Sequence, residues 1–297
     1  MSQGADLRLS LEEFLAAPVG EVAKMMPQTV VYITGGTRRS AVLAGISPQS
    51  DEYARWTRER MIACFELLCR FGARHIFTTM IRPGQFAEVG RYRDRLLDWL
   101  DWGLTGPEAL ADYARLGWRV RLIGAESMPE LQPIADRLHA ATPEQSTATT
   151  LWYHVISEPG APWQWLLKAA QHAQARTQTE AIRALYGEDI PLAKLYLAFG
   201  KPMFVADLLP PLLAAEVQCY WIQRPGYLYD EQLLRRILYD YAYLRPTWRL
   251  DKSSRYGTLE AKRSLWQQPL VLGCGKHIGA FWYPELDQDA FMAGEDV

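Results

Sequence analysis

The pentapeptide Gly35-Gly36-Thr37-Arg38-Arg39 directly follows the β-branched and aromatic run Thr29 to Thr34. Two adjacent glycines let backbone N–H groups come close to a ligand, and two adjacent guanidinium groups add charge-assisted donors shaped for phosphate oxygens. A loop of this kind at the carboxyl end of a strand in an open parallel sheet sits where that architecture collects its ligands. The chemistry it suits is recognition of an anion the size of a diphosphate. It is neither a Walker loop nor a dinucleotide fingerprint, and a tight turn followed by a solvated basic patch uses the same residue types.

The other candidates for chemistry are more diffuse. Five histidines, His75, His139, His154, His172 and His277, form no His-Glu-x-x-His pattern, and no nucleophile elbow is present, so zinc or serine hydrolysis finds no support. Leu233 to Leu244 carries Arg235, Arg236, Tyr239, Asp240, Tyr241 and Tyr243, which fits either a functional basic and aromatic face or an ordinary packed helix. Gly273-Cys274-Gly275-Lys276-His277 reads as a second anion loop or a surface turn.

Short β-rich runs alternating with amphipathic ones must position these residues. Strands are predicted at Thr29 to Thr34, His75 to Met80, Trp118 to Ile123, Thr150 to Ile156, Lys194 to Phe199 and Gln218 to Ile222. Met61, Phe65 and Leu68 mark the buried face of a helix over Asp51 to Phe71, which Gly72 ends. Further helices are predicted at Phe86 to Trp102, Pro107 to Leu116, Leu131 to Ala140, Trp163 to Gln174, Glu180 to Tyr186 and Glu231 to Leu244. This alternation predicts an α/β fold: one domain over residues 1–297, with a single, mostly parallel central sheet covered by helices on both faces. Residues 246–297 are less periodic and read as a C-terminal extension of that domain.

Composition narrows the function. With 32 Lys and Arg against 34 Asp and Glu, the net charge of −2 lacks the basic excess of a nucleic-acid binder. Hydrophobic residues make up 49% and charged residues 22%, the balance of a soluble globular chain. Aromatics reach 12%, enough to line a cavity as well as fill a core. No secretory signal or membrane-length apolar run is visible. Cys64, Cys69, Cys219 and Cys274 are scattered without zinc-ligand spacing, so reduced thiols in a cytoplasm are expected.

Taken in order, several motifs resemble the tuberculosinol and kolavelool synthase family of bacterial diterpene synthases. They are Thr34-Gly35-Gly36-Thr37-Arg38-Arg39, Ser47-Pro48-Gln49 through Tyr53, Gly90-Arg91-Tyr92, Phe199-Gly200-Lys201, Leu234-Arg235-Arg236-Ile237-Leu238-Tyr239-Asp240 with Tyr243-Leu244-Arg245, and Gly273-Cys274-Gly275 through Trp282. The resemblance spans Leu11 to Tyr283 and implies a (Z)-prenyltransferase-like fold and a homodimer. It implies ionisation of a bicyclic diterpenyl diphosphate, of kolavenyl or tuberculosinyl type, and capture of the allylic cation by water to give an alcohol such as kolavelool. By resemblance, Thr37, Arg38 and Arg39 bind the diphosphate, and Tyr53 and Tyr92 lie beside the reacting carbon; Gly36 and Lys201 are added as candidate diphosphate contacts. Trp56, Trp99 and Trp102 are candidates for a π-rich wall that would steady a cation. A substrate-borne Mg²⁺ is the implied cofactor.

One position departs from the family. Its motif reads Asp-Gly-Thr-Arg-Arg, whereas this chain has Gly35 in place of the aspartate. Glycine can neither hold Mg²⁺ nor orient water. Asp51, Asp207 and Asp240 are candidates to compensate, and otherwise the arginines carry ionisation alone. Two other readings follow: prenyl transfer to a nucleoside or other acceptor, and a catalytically silent partner subunit of a prenyltransferase.

Overall fold

Alternate side chains of each central strand feed two separate cores, as the period-2 pleat requires. In the computed structural model, which describes residues 9–86, 90–144, 148–203, 213–244, 263–266, 271–279 and 281–284, six strands form one sheet. They are β1 (Thr29–Ile33), β2 (His75–Ile81), β3 (Arg119–Ile123), β4 (Thr150–Val155), β5 (Ala193–Phe199) and β6 (Leu213–Ile222). Their order is β3-β4-β2-β1-β5-β6, and every pairing in this sheet is parallel. Val30 and Tyr32 of β1 enter the larger core, whereas Val31 and Ile33 enter the smaller one.

The helices cover both faces. On the larger side lie α1 (Leu11–Ala16), α4 (Glu52–Arg70), α6 (Arg91–Thr105), α7 (Pro107–Leu116), α8 (Gln132–Ala141) and α11 (Glu231–Tyr239). Met61, Phe65 and Leu68 of α4 are buried there, as their spacing predicts. On the other side α9 (Ala161–His172) and α10 (Gln178–Tyr186) contribute Ala161, Ile182 and Tyr186. Shorter helices include α2 (Val19–Ala23), α3 (Thr37–Leu43), α5 (Pro83–Phe86) and a four-residue helix at Arg263–Trp266.

The structure departs from the sequence expectation at several element boundaries, one of them set by Gly90, which caps α6 at φ 76°. The predicted helix at Phe86 to Trp102 is two helices, α5 and α6, with residues 87–89 outside the described part. The predicted helix over Glu231 to Leu244 changes to a π-helical turn at Asp240–Leu244. Within the C-terminal extension, Gly275–Ile278 and Phe281–Pro284 form an antiparallel hairpin, β7 and β8, that periodicity did not reveal. Among the described residues no helix is long and apolar enough to cross a membrane.

The basic and aromatic stretch in α11 is occupied by packing. Arg235 is buried, donates to Glu231 at 2.8 Å and to the Ala17 carbonyl at 2.8 Å, and so ties α11 to the N-terminal segment. Phe14 of α1 meets the edges of Tyr239 and Tyr243. These contacts give the helix an architectural role.

In the smaller core, His154 stacks against Phe77 and Trp165, with Nε2 3.2 Å from the Tyr186 hydroxyl. Burial lowers its pKa from 6.5 to about 3. Because the folded value is depressed, stability is complete above pH 6.5 and falls as the pH drops from there towards 3. The expected loss at pH 5 relative to pH 7 is about 2 kcal/mol from this group. Urea midpoints at both pH values check this: His154→Phe, which keeps a stacking ring, should flatten the difference, and an unchanged difference would exonerate His154.

Candidate active site

The carboxyl ends of β1 and β5 lie side by side because the two strands stay in register up to Ile33 and Ala198. β1 runs into the glycine pair, and α3 begins immediately after it. Gly36 caps α3 at φ 71°, ψ 33°, a left-handed conformation that favours glycine. The N–H groups of Thr37, Arg38 and Arg39 precede the first intrahelical bond, from Ser40 N–H to the Gly36 carbonyl at 2.8 Å. The expected turn is therefore a turn with a helix start attached, and the motif residues form that helix's first turn.

The two arginines are placed differently. Arg38 is exposed, whereas Arg39 is half-buried and folds back over its own N-cap. A Cβ on Gly36 would lie 2.9 Å from Arg39 Nη2, and one on Gly200 would lie 3.7 Å from the same atom. Gly36 thus leaves the space that the guanidinium fills, and Gly200 at the neighbouring strand end borders it. Lys201 follows Gly200 and is exposed at the same end of the sheet.

Tyr53 comes in from α4. It is 7% exposed, and its hydroxyl donates to Thr37 Oγ1 at 3.0 Å, while its ring meets the edge of Trp99 at 6.0 Å. With its oxygen accepting from Tyr53, the Thr37 hydroxyl can turn its own proton to a second acceptor. Trp99 and Trp102, with Asp51, Glu52, Ala54 and Arg55, line a cleft of about 480 Å³ between α4 and α6. Trp56 faces elsewhere, against the Tyr227 ring at 6.4 Å. Gly36, Thr37, Arg39 and Tyr53 are therefore in one constellation, with Arg38 and Lys201 at its exposed margin. The backbone of Tyr92 lies in the first turn of α6, and its side chain is outside the described residues.

Gly35 is held from behind. Its carbonyl accepts from Gly226 N–H at 3.0 Å, and a Cβ there would lie 3.3 Å from the Phe199 carbonyl. Gly226 was missed in the sequence, although Pro225-Gly226 is a turn signal. Beneath this contact, burial raises the pKa of Tyr32, Tyr227 and Tyr229 above the usual phenol range and raises that of the Cys64 thiol, so all four stay protonated.

Among the described residues, neither Asp51 nor Asp240 takes the place of the family aspartate. Asp240 accepts from the Tyr220 hydroxyl at 2.6 Å, Asp51 is exposed in the cleft wall, and Asp207 lies outside the described residues. Among the described residues no three His, Cys, Asp or Glu side chains gather into a metal-binding group. The described residues therefore do not form a protein cage for Mg²⁺.

No protein-family model matches the chain. It is 42% identical over 277 residues to (+)-kolavelool synthase of Herpetosiphon aurantiacus, an alignment covering 93% of this chain and 96% of that protein. The chain belongs to the kolavelool synthase family. As a member of it, the protein is a diterpene synthase. A more distant relative, tuberculosinyl adenosine transferase of Mycobacterium tuberculosis, is 25% identical over 297 residues, covering 93% of this chain and 99% of the other. The fold of this kolavelool synthase relative matches lavandulyl diphosphate synthase from Lavandula x intermedia with a TM-score of 0.59 and 13% identity, covering 74% of this chain and 97% of that one. It also matches a probable undecaprenyl diphosphate synthase from Campylobacter jejuni with a TM-score of 0.53 and 16% identity, covering 72% and 93%. The sheet and helices are those of a (Z)-prenyltransferase-like synthase, as the sequence motifs implied.

Proposed function

We propose that this protein ionises a bicyclic diterpenyl diphosphate and captures the resulting allylic cation with water, giving a diterpene alcohol of the kolavelool type. The observation that carries this reading is the convergence of Arg39, Thr37 and Tyr53 at the carboxyl ends of β1 and β5. In the first step the allylic C–O bond breaks and its electron pair leaves with the diphosphate. Arg39, Arg38 and the N–H groups at the start of α3 balance the charge that develops on that oxygen. Lys201 adds a positive charge at the margin.

Water then attacks the carbon, forming a new C–O bond. Its surplus proton passes to Tyr53 as Tyr53 gives its own to Thr37, and Thr37 passes one to the departing diphosphate. The products are the alcohol and protonated diphosphate, so atoms and charges balance. Tyr92 is proposed beside the same carbon. The Trp99 and Trp102 rings are proposed as the wall that keeps the cation away from bulk water.

The test is incubation with linear and bicyclic C20 diphosphates, with and without nucleoside acceptors, followed by product identification. A free alcohol from a bicyclic substrate supports the reading. A prenylated nucleoside would favour transfer instead, the activity named for the more distant relative. Gly35 favours one further reading, a silent partner subunit. Absence of turnover on every C20 diphosphate, with activity recovered by Gly35→Asp, would favour that reading over ionisation and water capture by this chain.

Mg²⁺ is proposed to arrive as the counterion of the substrate diphosphate. Mn²⁺ electron paramagnetic resonance should therefore show negligible binding to the protein alone at about 0.1 mM metal, and clear binding once inorganic diphosphate is added. Tight binding without diphosphate would show that the protein has its own metal site. The homodimer implied by the resemblance is proposed for this chain as well, with light scattering at micromolar concentration as its check.

A further inference from the structure

The loop that precedes α3 is held by a segment almost two hundred residues away in sequence. The turn at Pro225, Gly226, Tyr227 and Leu228 is buried at Gly226 and Tyr227, and two elements fasten it. From β1, the Tyr32 hydroxyl donates to the Gly226 carbonyl at 2.8 Å. From α4, the Cys64 thiol lies 3.7 Å from the same carbonyl, and Arg60 Nε donates to the Tyr227 carbonyl at 3.0 Å. The turn in turn donates Gly226 N–H to the Gly35 carbonyl at 3.0 Å.

Gly226 admits no side chain without displacement. A Cβ there would lie 3.0 and 3.2 Å from the Phe199 ring and 3.3 Å from Gly35 N. Gly35 meets the same wall, since its own Cβ would lie 3.3 Å from the Phe199 carbonyl. Two glycines and the end of β5 therefore form a close backbone contact directly behind the loop. Because Arg60 and Cys64 sit on the helix that also carries Tyr53, one turn links the loop to the helix that supplies the phenol.

We propose that the Pro225 to Leu228 turn is a positioning element for the diphosphate site, fixing the distance between the Gly35 to Arg39 loop and the Tyr53-bearing helix. The proposal rests on the diphosphate reading given above. It assigns Gly226 and Tyr32 as positioning residues that act through Gly35. A donor row aimed by the backbone loses its effect when the loop shifts by a fraction of an ångström, even though the donors remain.

The experiment measures inorganic diphosphate binding by calorimetry and steady-state kinetics on a bicyclic C20 diphosphate, for the parent, Tyr32→Phe, Gly226→Ala and Gly226→Ala with Phe199→Leu. Tyr32→Phe keeps the ring and deletes only the hydrogen bond to the turn. Diphosphate affinity should fall roughly 5-fold to 10-fold in Tyr32→Phe and further in Gly226→Ala, with kcat/KM falling in parallel. Removing the ring in the double variant should recover part of the loss. If the parent binds no diphosphate, the diphosphate reading itself fails and the proposal with it. If the parent binds and folded Tyr32→Phe binds equally well, the reading stands and the positioning proposal is wrong, whether or not Gly226→Ala folds. Lower thermal stability with unchanged affinity would likewise reduce the turn to a structural role.

Discussion

Arg39→Lys is expected to lower kcat/KM about 100-fold, the scale of losing one preorganised donor to a developing oxyanion. The charge survives this substitution, so the loss measures geometry. Arg39 fills the space between Gly36 and Gly200, where a planar guanidinium presents several donors in a fixed plane. A lysine ammonium is a point charge on a flexible stem and cannot reproduce that fork. Arg38 is exposed, and Arg38→Lys should cost no more than about 10-fold. Diphosphate affinity should follow the same order. Unchanged affinity and turnover with lysine at both positions would remove the anion site from this loop.

Tyr53→Phe should lower kcat roughly 100-fold while KM stays within about a factor of 2, since a proton relay acts after substrate has bound. The ring, its edge contact with Trp99 and its burial are all retained by phenylalanine, so only the donor to Thr37 Oγ1 is lost. Thr37→Val would break the proposed relay one atom further on. The two losses should therefore be strongly non-additive, with the double variant close to either single one. Additive losses would place the hydroxyls in separate tasks. Parent-like turnover in both single variants would take them out of the mechanism, and failure of Tyr53→Phe to fold would make Tyr53 a core residue.

The turn behind the loop gives these two experiments a shared structural background. Arg39 and Thr37 belong to the helix start that the Gly35 carbonyl adjoins, and Tyr53 belongs to the helix that Arg60 ties to the Tyr227 carbonyl. A variant in the turn should therefore weaken both functions at once, whereas Arg39→Lys and Tyr53→Phe should separate binding from turnover. This difference distinguishes a donor from the frame that aims it.

Local chemistry made much of the fold legible. The alternating side chains of β1 and the spacing of Met61, Phe65 and Leu68 each report a face that must be buried, and burial of a strand or helix face is a property of neighbouring residues in sequence. The glycine pair followed by two arginines offered a candidate anion loop from residue types alone, and the order of motifs along the chain identified the family. Helix ends were harder to read: α6 begins after Gly90, which sits at φ 76°, and the helix after Tyr239 widens into a π-helical turn rather than stopping. What no local pattern could give was the use made of each residue. Arg38 and Arg39 are equivalent in sequence, and only the fold lays Arg39 over Gly36 and beside Gly200 at the end of the adjoining strand, leaving Arg38 exposed. The distinctive run in α11 looked as suited to chemistry as the glycine loop, yet Ala17 and Phe14 claim its Arg235 and Tyr239 for packing. Tyr53 meets Thr37 across 16 residues, and Tyr32 meets Gly226 across 194. Sequence determined which donors and rings the protein possesses, whereas sheet register and close glycine contacts, which bring distant segments together only on folding, decided which of them face one another.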